Sequence, residues 1–130
     1  MRIETELMRG AGPTAVLKLL ERGEMYGYEI VDALSRRTEG VLAMGQSTLY
    51  PLLYNLEAKG LVSSRWQQPG EGGGKGDEGA SRPRKYYALT SKGRKKLAMD
   101  VSQWGALAGA LRSLGVLDGS TTPSARGALA

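Results

Sequence analysis

STLYPLLYNLEAKGLV, residues 47–62, decides the fold. Leu49, Leu52, Leu53 and Leu56 recur at i, i+3, i+4 and i+7, the spacing that places four side chains on one stripe of a helix. Gly60 follows as a residue able to take the left-handed cap that ends such a run. On a wheel of about 100° per residue, the opposite side carries Ser47, Pro51, Tyr54 and Ala58, flanked by Thr48, Tyr50 and Asn55. The leucines are therefore the buried face, and hydroxyls, phenols and an amide point outward. Pro51 has no N–H to give and is tolerated in or near a first turn. The helix is thus expected to begin between Gly45 and Ser47, with free amides pointing forward from that end.

Past Gly60 the period changes to two. LVSSRW (61–66) and KYYALT (85–90) read as strands with aromatic and β-branched content. The eighteen residues between them, QQPGEGGGKGDEGASRPR, include six glycines, a composition that predicts a hairpin with a long, mobile tip bearing Lys75, Arg82 and Arg84. Tyr86 and Tyr87 must point to opposite faces of their strand. One packs inward with Leu89 and the other is left to meet a phosphate, and the sequence does not say which. Trp66 reads as structural.

Upstream, Ala15, Val16, Leu19 and Leu20 mark a first helix that stops near Arg22 and Gly23 and that Pro13 starts or kinks. Ile30, Val31 and Leu34 give a short amphipathic second helix after Gly27, ended by Gly40. The fold class expected is mainly α with a small β-hairpin. Three helices followed by a basic hairpin is the order of a winged helix-turn-helix, whose third helix enters the major groove while the hairpin touches the backbone or minor groove.

Thr90 can cap a last helix in which Leu97, Val101, Trp104, Ala108 and Leu111 step by four, three, four and three residues, a seam widened by Leu107 and Leu114. One small domain does not need so broad a stripe, so the same helix of a second copy is expected to cover it, giving a homodimer. Docking onto the same chain is the plainer alternative. Residues 1–90 are expected to form the winged-helix domain, 91–114 the dimerisation helix, and 115–130 an unstructured tail.

The charge is uneven. Of the net +5, residues 1–58 hold six basic and eight acidic side chains, and residues 59–96 hold ten and three. Arg82 to Lys96, which includes Lys85, contains seven Lys or Arg and no acid, a composition that suits a polyanion such as double-stranded DNA. The chain has no Cys and no His, which removes disulfides, thiol nucleophiles, imidazole bases and Cys/His zinc sites. No paired-acid or nucleophile–base constellation is recognisable, and the wing glycines lack phosphate-loop spacing. We therefore expect no enzyme, cofactor or metal. MRIETEL at the start lacks the apolar core of a signal peptide, and no apolar run reaches the roughly 20 residues of a membrane span, so a cytoplasmic, non-membrane protein is expected.

YGYEI at 26–30, STLYPLLYNLEAKGLV at 47–62, Trp66 and RKYYALTSKGR at 84–94 together resemble the PadR family of bacterial winged-helix repressors, over roughly residues 8–104. The order and spacing of TLYPLL, LEAKGL and KYYALT are specific to it, and the short chain is similar to the branch with a single C-terminal helix. The resemblance implies a homodimer, a third helix that reads a palindromic operator, a DNA-contacting wing and, in some members, release by an effector. It implies that the recognition helix starts on Gln46, Ser47 and Thr48, with Tyr50 in a characteristic tyrosine position and Tyr54 and Asn55 further along. Many relatives carry a basic residue at one or both of the last two positions, so amides, hydroxyls and water are expected to do more of the reading here. Trp104 matches a tryptophan that, in multidrug-sensing relatives, stacks on planar aromatic ligands at the dimer interface. Gly12, Pro13 and Thr14 stand where relatives carry a continuous apolar run, a departure that bears on the first helix, and the wing is unusually long. The rival from another class is a winged helix that docks a protein through its Tyr50 and Tyr54 side, which would not require seven clustered bases.

Overall fold

A computed structural model describes residues 1–70 and 83–118. Its elements run α1 (Thr5–Leu20), β1 (Met25–Tyr26), α2 (Gly27–Arg37), α3 (Gln46–Ala58), β2 (Val62–Trp66), β3 (Lys85–Leu89) and α4 (Ser91–Ser113). The strands form one antiparallel sheet in the order β1-β3-β2. This is the winged-helix arrangement expected from the sequence. Lys75 and Arg82, placed on the wing tip, and residues 119–130 of the tail lie outside the described residues.

The third helix starts and stops where its sequence dictates. Leu49, Leu53 and Leu56 are buried, and Gly60 follows with a φ of 76°. They join Leu17, Leu20, Ile30, Leu34 and Val62 in a single apolar core, so each of the first three helices and the sheet gives up one face to it.

Of the two roles expected for Pro13, starting the helix or kinking it, the first is corrected: α1 begins at Thr5 and runs through Pro13 to Leu20. An interior proline removes one helical hydrogen bond and typically costs about 3 kcal/mol. Tertiary packing offsets it here. Met8, Gly12, Val16 and Leu19 bury one side of α1, and Gly12 approaches α3 so closely that a Cβ there would stand 3.2 Å from Leu52 Cδ1. The strand β1 had no sequence signal, because two residues are too few to show a period. Met25 pairs with Tyr87 and Tyr26 with Tyr86.

The sheet decides between the two tyrosines. Tyr87, 5% exposed, packs into the core, while Tyr86 shares the opposite face with its register partners Tyr26 and Arg65. Beyond the last pair of the ladder, Trp66 with Lys85, the Gln67 N–H donates to the Arg84 carbonyl at 2.6 Å. The Arg84 N–H in turn donates to Gln67 Oε1 at 3.0 Å.

Thr90 caps α4 as its sequence position suggested. Its hydroxyl accepts the Gly93 N–H at 2.9 Å and lies 2.7 Å from the Gly60 carbonyl and 3.0 Å from that of Leu61. Gly93 is buried against the same turn, and a Cβ there would collide with the Leu61 carbonyl oxygen. The first turn of α4 is thus seated on the turn that ends α3. Compactness changes between Leu97 and Ala98, inside α4. Leu97, at 3% exposed, belongs to the core, whereas Val101, Trp104 and Leu107 further along are exposed. Gly115, with a φ of 85°, follows the helix end.

Candidate nucleic-acid interface

The burial of its leucines divides the remaining surface of α3 into three strips. The central strip carries Ser47, Pro51, Tyr54 and Ala58, all exposed, with Tyr54 at 74%; Gln46, at the helix start, is exposed beside it. At its head, the N-cap residue Gly45 has no side chain to bond the first amides, and its carbonyl accepts the N–H of both Thr48 and Leu49. The first turn therefore presents polar side chains together with the positive end of the helix dipole, which favours an anion in front of it.

The second strip faces the wing. Tyr50 leans over the start of α2, so that its ring and hydroxyl fill the space a side chain at Gly27 would take. Two turns further on, Glu57 Oε2 accepts a hydrogen bond from Ser64 Oγ of β2 at 2.6 Å. Burial, with Tyr50 and Glu57 nearby, pushes the Tyr87 phenol above its ordinary value. Tyr50, Glu57, Ser64 and Tyr87 thus form the joint that sets α3 against the sheet. Tyr50 has a structural task in addition to any contact it makes outward.

The third strip, with Thr48, Leu52, Asn55 and Lys59, faces α1 and borders a hollow of about 380 Å³. The six residues expected to read DNA are therefore brought together on one helix, but not on one line. Ser47 and Tyr54 lie in the centre, Gln46 and Tyr50 toward the wing, and Thr48 and Asn55 toward α1.

On the wing, the two described cations of the expected set diverge. Lys85 Nζ lies 5.5 Å from the Trp66 ring centre and 5.8 Å from that of Tyr87. The Arg84 guanidinium lies 4.5 Å over Tyr26. The Tyr26 and Tyr86 rings meet edge to face at 5.6 Å, and Arg65 lies 4.9 Å over Tyr86 while pairing with Glu24. A row of two rings with a guanidinium group at either end thus crosses all three strands and stiffens the base of the wing.

Between wing and α3 lies a hollow of about 540 Å³ whose wall includes Tyr28, Tyr50, Trp66, Arg84 and Lys85. Trp66, read from sequence as structural, is 59% exposed beside it. Sequence reasoning did not place Tyr28 or Trp66 on this surface. The strand register holds the signal for the second, because Trp66 is the last residue of β2, past the point where the core needs covering. Lys92, Arg94, Lys95 and Lys96 are exposed on the first turns of α4, and Lys18 with Arg94 holds the Glu21 carboxyl below the ordinary range. Among the described residues no group of three or more acids is arranged to hold a metal, and no helix is long and apolar enough to cross a membrane.

Comparison with known proteins agrees with this geometry. The chain is similar to a transcriptional regulator of Clostridium thermocellum, with 25% identity, a TM-score of 0.71, and 85% of this chain and 96% of that one covered. A PadR family regulator of Eggerthella lenta is 35% identical, with a TM-score of 0.68 over 84% of this chain and 85% of the other. Bacillus subtilis PadR, solved in complex with operator DNA, is 26% identical, with a TM-score of 0.56 over 68% of this chain and 45% of its own. The profile of the transcriptional regulator PadR-like family matches residues 16–99, and the chain belongs to that family of DNA-binding transcription regulators, which are not enzymes.

Proposed function

We propose that the protein is a repressor that binds a palindromic operator as a homodimer. The observation that carries the reading is the pairing of an exposed polar strip on α3 with a wing whose Lys85 and Arg84 flank it. A major groove about 12 Å wide admits such a helix, and the wing's cations neutralise adjacent phosphates. Gln46, Ser47 and Thr48 at the head of α3 meet base edges, with Tyr50, Tyr54 and Asn55 at the groove walls. Arg84, Lys85, Arg82 and Lys75 hold the backbone. Docking begins electrostatically through the wing and the Lys92 to Lys96 segment, and bound protein blocks polymerase in the cytoplasm.

The dimer forms through α4. Val101, Trp104, Leu107, Ala108 and Leu111 supply the seam, and the exposure of Val101, Trp104 and Leu107 supports it. Two-fold symmetry then places the half-sites roughly 34–36 Å apart. A planar aromatic effector that stacks on Trp104 at that interface releases the DNA.

The test is a fluorescence-anisotropy titration on the DNA upstream of the protein's own gene against scrambled DNA at several salt concentrations, with the stoichiometry measured. Selective, salt-steep binding of one dimer per site is expected. Equal, weak binding to both DNAs, together with nuclease-resistant capture of a protein through the Tyr50 and Tyr54 side, sinks the proposal in favour of a docking module.

A further inference from the structure

The hollow between α1 and α3 differs in chemistry from the rest of the surface. Its floor is apolar, made by Met8, Pro13, Met44, Leu52 and Leu56. Arg9 of α1 and Lys59 at the end of α3 also line it, and Thr48 and Asn55 complete the α3 side. No carboxylate is among its lining residues. Among the described residues, neither Arg9 nor Lys59 forms an ion pair. At about 380 Å³, it falls in the range of small-molecule sites.

We propose that this hollow binds an amphipathic monoanion, a compact aliphatic or aromatic body carrying one carboxylate or sulfonate. The body lies on the two methionines, whose unbranched, polarisable side chains adapt to different hydrocarbon shapes. The head turns to Arg9 and Lys59, and Thr48 and Asn55 offer it hydrogen bonds. Two cations with no acid beside them favour an anion and penalise a cation, while a neutral head forgoes the charge-assisted bonds. The ligand shares Thr48 and Asn55 with the proposed reading surface, and its head takes the cations nearest the backbone on that flank. Occupancy therefore competes with operator DNA. Only this consequence rests on the DNA-binding reading; the site itself does not.

The experiment separates the two. The chain has five methionines, Met1, Met8, Met25, Met44 and Met99, so ¹³C-methyl-methionine protein reports on the hollow directly, in the absence of DNA. Titration with decanoate is expected to move the Met8 and Met44 methyl signals together and to saturation, with those of Met25 and Met99 stationary. Decanamide, with the same chain and no charge, should bind about five- to tenfold more weakly. Arg9→Gln and Lys59→Gln should each weaken decanoate about two- to fivefold and leave decanamide unchanged, the unliganded methyl spectrum serving as the check on folding. Stationary Met8 and Met44 signals, a shift confined to Met99, or equal affinity for the two probes would each overturn the site. With operator added, decanoate at about ten times its Kd should weaken DNA binding about tenfold. Methyl shifts without that loss overturn the competition alone. Methyl shifts in a protein that binds no DNA at all would leave the site standing and remove the regulator reading instead.

Discussion

The Tyr50 hydroxyl stands where a side chain at Gly27 would have to go. One residue lies at the head of α2, the other on the wing-facing strip of α3, and their contact fixes how far α3 is rotated. Gly27→Ala is expected to destabilise the fold by about 1–3 kcal/mol, the usual range for overpacking. In a Tyr50→Ala background the same change should be nearly neutral. Thermal unfolding of the four proteins in that cycle checks it, and additive effects would separate the two residues.

The seat of α4 makes a second prediction. Thr90→Ala removes both the cap on Gly93 and a hydroxyl beside the Gly60 and Leu61 carbonyls, a loss of about 0.5–2 kcal/mol. Gly93→Ala drives a methyl into the Leu61 carbonyl and should cost more, about 3 kcal/mol. Denaturant titration ranks them; a Gly93 variant as stable as the parent would mean that the joint has slack.

The wing makes a third. Replacing Arg82, Arg84 and Lys85 together by Ala should weaken binding to specific and scrambled DNA alike. It should also flatten the slope of log K against log salt by about 0.9 for each phosphate that is no longer neutralised. Lys85→Ala alone should retain the sheet, because Arg84, stacked on Tyr26, holds the base of the wing. A slope unchanged in the triple variant removes the wing from docking.

Gln46 lies at the exposed head of α3, so Gln46→Ala should relax the preference at one base position by about 1–3 kcal/mol and leave nonspecific affinity nearly intact. Binding to a library of half-site variants measures this, and a uniform loss across the library assigns Gln46 to the backbone.

Tyr87 sets a limit on the alkaline side. Its phenol is held above the ordinary 10.0 chiefly by burial, and next by Tyr50 and Glu57. The folded state therefore keeps a proton that the unfolded chain gives up. The stabilisation is complete below about pH 10 and is lost as pH rises through the elevated value. Tyr87→Phe should flatten that alkaline fall, as followed by thermal unfolding between pH 8 and 11.

The parts of the fold that follow a period were legible in the sequence. Leu49, Leu53 and Leu56 announced α3, and the alternation in KYYALT announced β3, because burial imposes those spacings directly. Pro13 misplaced the start of α1, since local propensity says nothing of the tertiary contact that holds Gly12 against Leu52. The strand β1 was silent for want of length. In the candidate site, the side-chain types were readable but their grouping was not. Whether Tyr50 serves the fold or the surface, and which rings Arg84 and Lys85 lie against, depend on helix rotation and strand register. Both are fixed by residues as distant as Gly27 and Tyr26.

The reciprocal hydrogen bonds between Gln67 and Arg84 close the ladder below the wing tip. They make that point a splice junction. Lengthening a closed loop adds little to its entropy of closure, about 0.6 kcal/mol for each doubling, so insertions between the two residues leave the sheet register untouched. The length of the segment between them and the pairing of the strands below it are therefore independent variables: one can change without disturbing the other.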